Sequence, residues 1–309
     1  VNETPLVSVI VPAYNHAQYI ETCLQSIYDD DYPELEVIVM DDGSRDDTFE
    51  VARRWRETRP GRFGQFRLER QENRGLPRTL NRLTSLATGE FIALVASDDY
   101  LLPGGITTRL RALEAHPEWL AVFGDAHIVD GDGALLHSSG TLGFKGRHAE
   151  IFAHSHRMAN ELIFRWWVPG PTMMMRRSAL DPISGVGGYD ESLSFEDRDM
   201  YLRLIARNAL GFVSEQVAAY RFPLEKQHLK PPEWILRDEA RTDLKNLSSF
   251  RGFQRAGLWV RAHRIEVKLT TDHGTRGGFD RIKLCGLNAL WGVFQAAHRG
   301  RTRWWTRKW

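Results

Sequence analysis

Cysteine is scarce in this chain: two residues, Cys23 and Cys285, in 309. They lie far apart, each inside an apolar helical pattern, which excludes a disulfide framework and points to a reducing compartment. Long apolar runs are also missing. The longest charge-free one, "LCGLNALWGVFQAA", falls short of the roughly 20 residues that cross a bilayer as a helix. A charge excess is lacking: 41 basic against 40 acidic residues give a formal +1, no general footprint for nucleic acid, so no nucleic-acid partner is expected. No G-x-G-x-x-G and no P-loop follow the first strand-like run, which excludes the usual dinucleotide and triphosphate cradles. Internal repeats and long low-complexity segments are absent. No secretory signal opens the chain, and Val1 suggests a trimmed terminus. A cytoplasmic location is the expectation.

What is present begins with two alternating periods. "LVSVIV" (Leu6–Val11) reads as a buried strand, followed by Ile20, Leu24 and Ile27 at helical spacing, with Asn15 or His16 near the helix start. "LEVIVM" (Leu35–Met40) is a second strand; "DDGSRDDT" turns into a helix that Asp46 or Asp47 can cap. "FRLERQ" is a weaker third strand, Leu76, Leu80, Leu83 and Ala87 mark a helix, and "FIALVA" is a fourth strand. Strand and helix alternating in this way predict an α/β fold built from βαβ units on a mostly parallel sheet, whose ligands bind beyond the carboxyl ends of the strands. The polar signals fall there: "PAYN", "DDGS" and "SDD". Further on, "LAVFGDAHIVD" and "PTMMMRR" read as strands and "EDRDMYLRLIAR" as a helix; from about Pro231 the chain turns helical and basic.

Asp98 and Asp99 carry the sharpest chemical signal. Adjacent carboxylates repel by roughly 4 kcal/mol at ~4 Å and a typical effective dielectric, so a divalent cation is the natural neutraliser. Hard oxygen ligands suit Mn²⁺ or Mg²⁺ bound together with substrate phosphates. Because successive strand residues face opposite ways, one aspartate is expected to hold the metal and the other to meet a ribose or a neighbouring group. The alternative is a solvated turn. Asp41 and Asp42 can accept from a base or ribose donor, or serve turn chemistry before Gly43. Glu196 and Asp197 open a helix, where acids stabilise the dipole; alternatively one is a general base for a hydroxyl. Arg74, Arg78, Arg176, Arg177 and His228 can meet phosphate oxygens, His228 as a third metal contact; the alternatives are surface ion pairs and a solvated loop histidine. The methionines Met173–Met175 read as core strand.

Taken in order, "VSVIVPAYN", "VIVMDDGSRDDT", "ENRG", "ATGEFIALVASDD", "RRSAL", "GGYDESLSFEDRDMYLRL" and "YR" resemble family 2 glycosyltransferases, inverting enzymes of the GT-A fold. The resemblance runs from about Val7 to Arg221 and is similar to that of bacterial surface-polysaccharide enzymes. It implies a GT-A, Rossmann-like sheet flanked by helices, a catalytic domain over 1–230 (nucleotide-binding part about 1–125, acceptor part about 126–230) and a helical extension over 231–309. It places the nucleotide base against Pro12, Ala13, Tyr14, Asn15 and Asp42, with Asp41 nearby. It makes Asp99 the direct metal ligand with Asp98 beside it, and Asp197 of the Glu196–Asp197 pair the base. Trp166, Trp167, Gly187, Gly188, Tyr189 and Asp190 would shape sugar pockets. Two positions depart from the pattern: Ala96 stands where many members carry an acid, and Leu80 where they carry an arginine, for which Arg78 is the substitute.

The resemblance implies a metal-dependent, inverting transfer from a nucleotide-diphosphate sugar, UDP-linked, to a hydroxyl of a glycan or lipid-linked acceptor. A non-catalytic sugar-nucleotide or glycan binding module is the alternative. The end of the chain mixes Arg299, Arg301, Arg303, Arg307 and Lys308 with Trp304, Trp305 and Trp309 and has no acid. Such a segment, 279–309, suits peripheral contact with the inner face of the cytoplasmic membrane, or packing on a homodimer mate.

Overall fold

The computed structural model describes residues 4–59, 61–222, 232–272 and 278–306. His228, Arg307, Lys308 and Trp309 lie outside the described residues, as do the side chains from 299 onward. The chain divides into two compact units. The first comprises residues 1–149, 168–191 and 209–227, the second 150–167, 192–208 and 228–309.

The first unit is one α/β layer system. Its elements are β1 (Val7–Ala13), α1 (Ile20–Asp29), β2 (Leu35–Asp41), α2 (Thr48–Glu57), β3 (Gln65–Arg70), α3 (Leu76–Leu86), β4 (Phe91–Leu94), β5 (Tyr100–Leu101), α4 (Gly105–Ala115), β6 (Ala121–Val129), β7 (Leu135–His137), β8 (Met174–Arg176) and β9 (Leu210–Arg221). The strand order is β3-β2-β1-β4-β8-β6-β9-β5, with β7 on β6. The four strands read from βαβ spacing are parallel to one another. Beyond them the sheet is mixed: β8 enters antiparallel between β4 and β6, and β6 and β9 run parallel. β1 and β2 are buried along their whole length, as continuous apolar runs require when both faces are covered. Val9, Val11, Ile20, Leu24, Val37, Val39, Trp55 and Ala93 share one core with α1 and α2. The register sets Ala13 opposite Asp41 and Asp41 opposite Arg70, so the carboxyl ends of three strands finish level.

The second unit is helical: α5 (Ser155–Phe164), α6 (Glu196–Ala206), α7 (Glu233–Asn246), α8 (Gly252–Asp272) and α9 (Gly278–Thr306). α5 is buried continuously from Met158 to Phe164, the mark of a helix enclosed by its neighbours. Gly257 of α8 makes room for it, since a Cβ there would fall 2.3 Å from the Phe164 ring. Phe253, Trp291 and Phe294 surround that ring at 5.0–5.8 Å. Buried Glu161 meets His298 Nε2 at 2.6 Å. No helix among the described residues is long and apolar enough to cross a membrane.

Candidate active site

Three polar turns, two of them acidic, follow the carboxyl ends of β1, β2 and β4 in the first unit's sheet. After β1, Asn15 does not cap α1, which begins only at Ile20. It adopts φ 55°, a left-handed conformation asparagine tolerates better than most residues. Its N–H bonds Ser44 Oγ at 2.9 Å and its Oδ1 accepts the Arg45 N–H at 2.8 Å, tying the first turn to the second. Pro12 and Ala13 are buried, while Tyr14 stands 39% exposed at the rim. At α2, Asp46 rather than Asp47 serves the helix start, accepting the Thr48 N–H at 3.1 Å.

Asp41 and Asp42 are both buried, and each organises a loop. Asp41 Oδ1 accepts the Ser44 N–H at 3.0 Å and the Ser44 hydroxyl, and its other oxygen lies 3.0 Å from Arg70 Nε. Asp42 reaches the loop before α3, accepting the N–H groups of Arg74 and Gly75, each at 2.9 Å, and Gln71 Nε2 at 2.8 Å. Gly43 lets these two turns touch: it holds φ +74°, and a Cβ there would stand 2.7 Å from Asn73 N.

Asp98 and Asp99 lie in a turn rather than on a strand, because β4 ends at Leu94. The turn is closed by Asp99 N–H to Ala96 O at 3.0 Å. The two carboxylates still part company: Asp99 is 2% exposed, while the Asp98 side chain is 32% exposed and stands 3.7 Å from His16 Nδ1. His16 Nδ1 also meets Ser97 Oγ at 2.8 Å. Burial pushes the Asp99 carboxyl well above the usual range, and the neighbouring charge of Asp98 adds to the shift. A cation beside this pair would reverse both effects, and the two carboxylates offer the hard oxygens a divalent ion takes; among the described residues no group of three or more acidic, histidine or cysteine ligands gathers around a metal position.

Arg221, the last residue of β9, was not assigned a role from the sequence, although it is the arginine of the "YR" pair. Its backbone N–H donates to Asp99 Oδ1 at 2.7 Å. Its guanidinium donates to Asp98 O at 2.8 Å, Asp130 O at 2.9 Å and Gly131 O at 2.7 Å, and lies 4.5 Å over the Tyr19 ring. One side chain thus staples the diaspartate turn to the end of β6. A late arginine at a strand end is the only local signal, and it does not say which turn it meets.

Arg78 on α3 and Arg74 just before it line a groove of about 380 Å³ together with Gln71, Asn81, Arg82 and Glu191. Arg78 Nε pairs with Glu191 at 3.2 Å. Leu80, at the position expected to carry arginine, is buried in the core. Arg176 and Arg177 serve the fold: Arg176 donates to Leu113 O at 2.6 Å and Trp119 O at 3.1 Å, and Arg177 to Gly89 O at 3.0 Å.

In the second unit, Glu196 and Asp197 form the first turn of α6. Burial raises both carboxyls, and the Asp197 charge raises Glu196 further; Asp197 itself is pushed up to about 6. The helix start is anchored from beneath. Arg198, fully buried, meets Asp243 of α7 at 2.7 and 3.0 Å, and Arg261 of α8 holds the other Asp243 oxygen at 2.5 Å. Asp199 takes Arg203 Nε at 2.9 Å and Asn246 Nδ2 at 2.9 Å. Trp166 packs edge-on against Phe195 and Tyr201 at 6.1 and 5.3 Å, with the Arg198 cation 5.3 Å above it. The acids of α6 therefore divide: Asp199 is fully engaged in structure, whereas no other described residue donates to the Glu196 side chain.

Each unit thus carries its own acidic feature: the diaspartate turn in the first, the raised carboxyls of α6 in the second. A family model described as Glycosyl transferase family 2 matches residues 8–183. An uncharacterized protein of Mycobacterium tuberculosis is 32% identical over 70% of this chain and 67% of its own length. The hyaluronan synthase of Pasteurella multocida is 33% identical over 44% of this chain, but the chain spans only 14% of that relative. Among solved structures, S. aureus TarS 1–349 in complex with UDP-GlcNAc has the same fold, with a TM-score of 0.63 at 18% identity over 94% of this chain and 81% of that one. With the family model covering more than half of the sequence and including the strand-end turns, the chain belongs to glycosyl transferase family 2 and is an enzyme of the glycosyltransferase class.

Proposed function

We propose that this chain moves a sugar from a nucleotide-diphosphate donor, UDP-linked, to a hydroxyl of a glycan or lipid-linked acceptor in cell-surface polysaccharide synthesis, inverting the anomeric configuration. The observation that carries the reading is the Asp98–Asp99 turn, a buried carboxylate beside a half-exposed one at the strand-end edge that also bears Asn15 and Asp42. The UDP-GlcNAc of the TarS structure supports the donor class, and the hyaluronan synthase supports a glycan acceptor.

In this reading Pro12, Ala13, Tyr14, Asn15, Asp41 and Asp42 border the nucleotide base, with Arg78 nearby. Asp99 and Asp98 hold Mn²⁺ or Mg²⁺, an ion usually bound by one or two carboxylates plus substrate phosphates. When bound, the metal neutralises the departing diphosphate. Asp197 takes the acceptor proton: at about 6 its carboxyl is a stronger base than an ordinary aspartate and is still ionised at neutral pH. The freed hydroxyl oxygen bonds to the anomeric carbon as the diphosphate leaves from the opposite face. Glu196, raised further by burial and by its neighbour, is the protonated partner of the pair near neutrality.

The functional division we favour is a catalytic domain over 1–230 and a helical extension over 231–309. A cytoplasmic location, peripheral on the inner face of the membrane, fits the exposed Leu290 and Val293 on α9 and the basic, tryptophan-rich sequence after His298. Purified protein given a panel of sugar nucleotides with Mn²⁺ and glycan acceptors tests the reading. Consumption of one donor with a glycosylated product supports it; no consumption of any donor by folded protein refutes it.

A further inference from the structure

The loop Gly187–Glu191 belongs to the first unit, and α3 holds it through one side chain used in both directions. Asn81 Oδ1 accepts the Tyr189 N–H at 2.8 Å, and Asn81 Nδ2 donates to Tyr189 O at 2.9 Å, as a neighbouring strand would. The same Nδ2 reaches Glu191 Oε1 at 3.0 Å, and Arg78, three residues earlier on the helix, closes the other Glu191 oxygen at 3.2 Å. Gly188 sits directly against the amide, where a Cβ would fall 2.9 Å from Asn81 Oδ1.

The other end of α3 is fixed by the nucleotide-side turn. Gly75, the residue preceding α3, donates its N–H to Asp42 Oδ2 at 2.9 Å. Gln71 Nε2 bridges Asp42 Oδ1 at 2.8 Å and Thr79 Oγ1 at 2.9 Å. A single helix of eleven residues is therefore pinned at its start by Asp42 and carries the Gly187–Glu191 loop at its middle.

We infer that Asn81 is a positioning residue. With Arg78 and Glu191 it latches the Gly187–Glu191 loop onto α3, so that the loop is set relative to the turn that meets the nucleotide. Under the reading above, in which Gly187, Gly188, Tyr189 and Asp190 shape the sugar pocket, the latch sets the loop for the sugar, while the Asp42 contacts to Gln71, Arg74 and Gly75 on the nucleotide side do not depend on Asn81. This rests on the glycosyltransferase reading above.

Changing polarity separates a latch from general scaffolding. Asn81→Asp keeps the acceptor for Tyr189 N–H but turns an oxygen toward Tyr189 O and the Glu191 carboxylate. Glu191→Gln then restores a donor opposite the new acid. The expected result is a kcat/KM for the sugar nucleotide lowered about 30-fold in Asn81→Asp and recovered only in part, to within about tenfold of Glu191→Gln, in the double variant, where the new oxygen still faces Tyr189 O. The Kd for UDP should stay within about twofold throughout. Gly188→Ala sets a Cβ 2.9 Å from Asn81 Oδ1, so the amide or the loop must give way and the latch loosens; it should lower kcat/KM in the same direction and serves if Asn81→Asp does not fold.

Hydrogen exchange of the Tyr189 amide reads the latch without any turnover and should speed up in both Asn81→Asp and Gly188→Ala. Unchanged exchange in folded variants overturns the latch whatever the activity. An active wild type with equally active variants, or UDP affinity falling in step with kcat/KM, also overturns it. A wild type that consumes no donor refutes the glycosyltransferase reading instead, with the exchange result still deciding the latch.

Discussion

Replacing Arg221 with methionine removes a forked donor while keeping most of its stem over Tyr19. Three hydrogen bonds disappear, to Asp98 O, Asp130 O and Gly131 O. Bonds to charged groups contribute about 1.5–3 kcal/mol each. Asp98 and Asp130 are only half-buried and Gly131 is exposed, so water replaces part of each bond. The backbone donation to Asp99 survives. We therefore expect a net loss of about 2–4 kcal/mol, well below the plain sum. Urea unfolding monitored by tertiary fluorescence should show the midpoint fall at unchanged m. Arg221→Lys keeps a cation near Tyr19 but cannot span Asp98 and the Asp130–Gly131 hairpin, and should recover at most half of the loss. A methionine variant within about 1 kcal/mol of wild type would refute the stapling role.

Asp197→Asn should bind UDP as wild type does and turn over about 100-fold or more slowly; undiminished turnover would move the base elsewhere. Because the Asp197 carboxyl lies at about 6, the base form is lost as pH falls through that value. kcat/KM should then drop about tenfold per pH unit below it, whereas an acid limb near 4 would contradict the assignment. Asp243→Ala leaves Arg198 and Arg261 buried without their shared carboxylate and should cost about 3–5 kcal/mol in the helical unit, measured by denaturant melting; a loss under about 1 kcal/mol would contradict the anchoring role. Gly43→Ala meets both a positive φ and the Asn73 backbone; we expect about 1–3 kcal/mol of destabilisation and weaker nucleotide binding, and wild-type values in both assays would contradict it.

The apolar runs of β1, β2 and β4 made the parallel half of the sheet legible, because buried strands and amphipathic crossover helices have distinct periods. β8 was less so: "PTMMMRR" reads as a strand, yet three residues pair, and their antiparallel direction against β4 and β6 has no local signal. The acidic turns were visible as residue types, but their division of labour was not. Asp42 holds a loop more than thirty residues ahead, and Asp98 and Asp99 differ in burial because of a turn hydrogen bond rather than a strand alternation. Asn15 looks like a helix cap by type; its left-handed backbone and its bonds to Ser44 and Arg45 arise from the second strand's turn. Neither Arg221 nor Asn81 could be given a role from the sequence, since their partners lie about 90 to 120 residues away in the chain.

Titration of UDP into the protein with and without Mn²⁺, in wild type and in Asp99→Asn, asks whether the diaspartate turn couples metal to nucleotide. Mn²⁺ should tighten UDP binding in the wild type and have no effect in the variant. Equal UDP affinity with and without metal in the wild type, or Mn²⁺ enhancement that survives Asp99→Asn, would contradict that coupling.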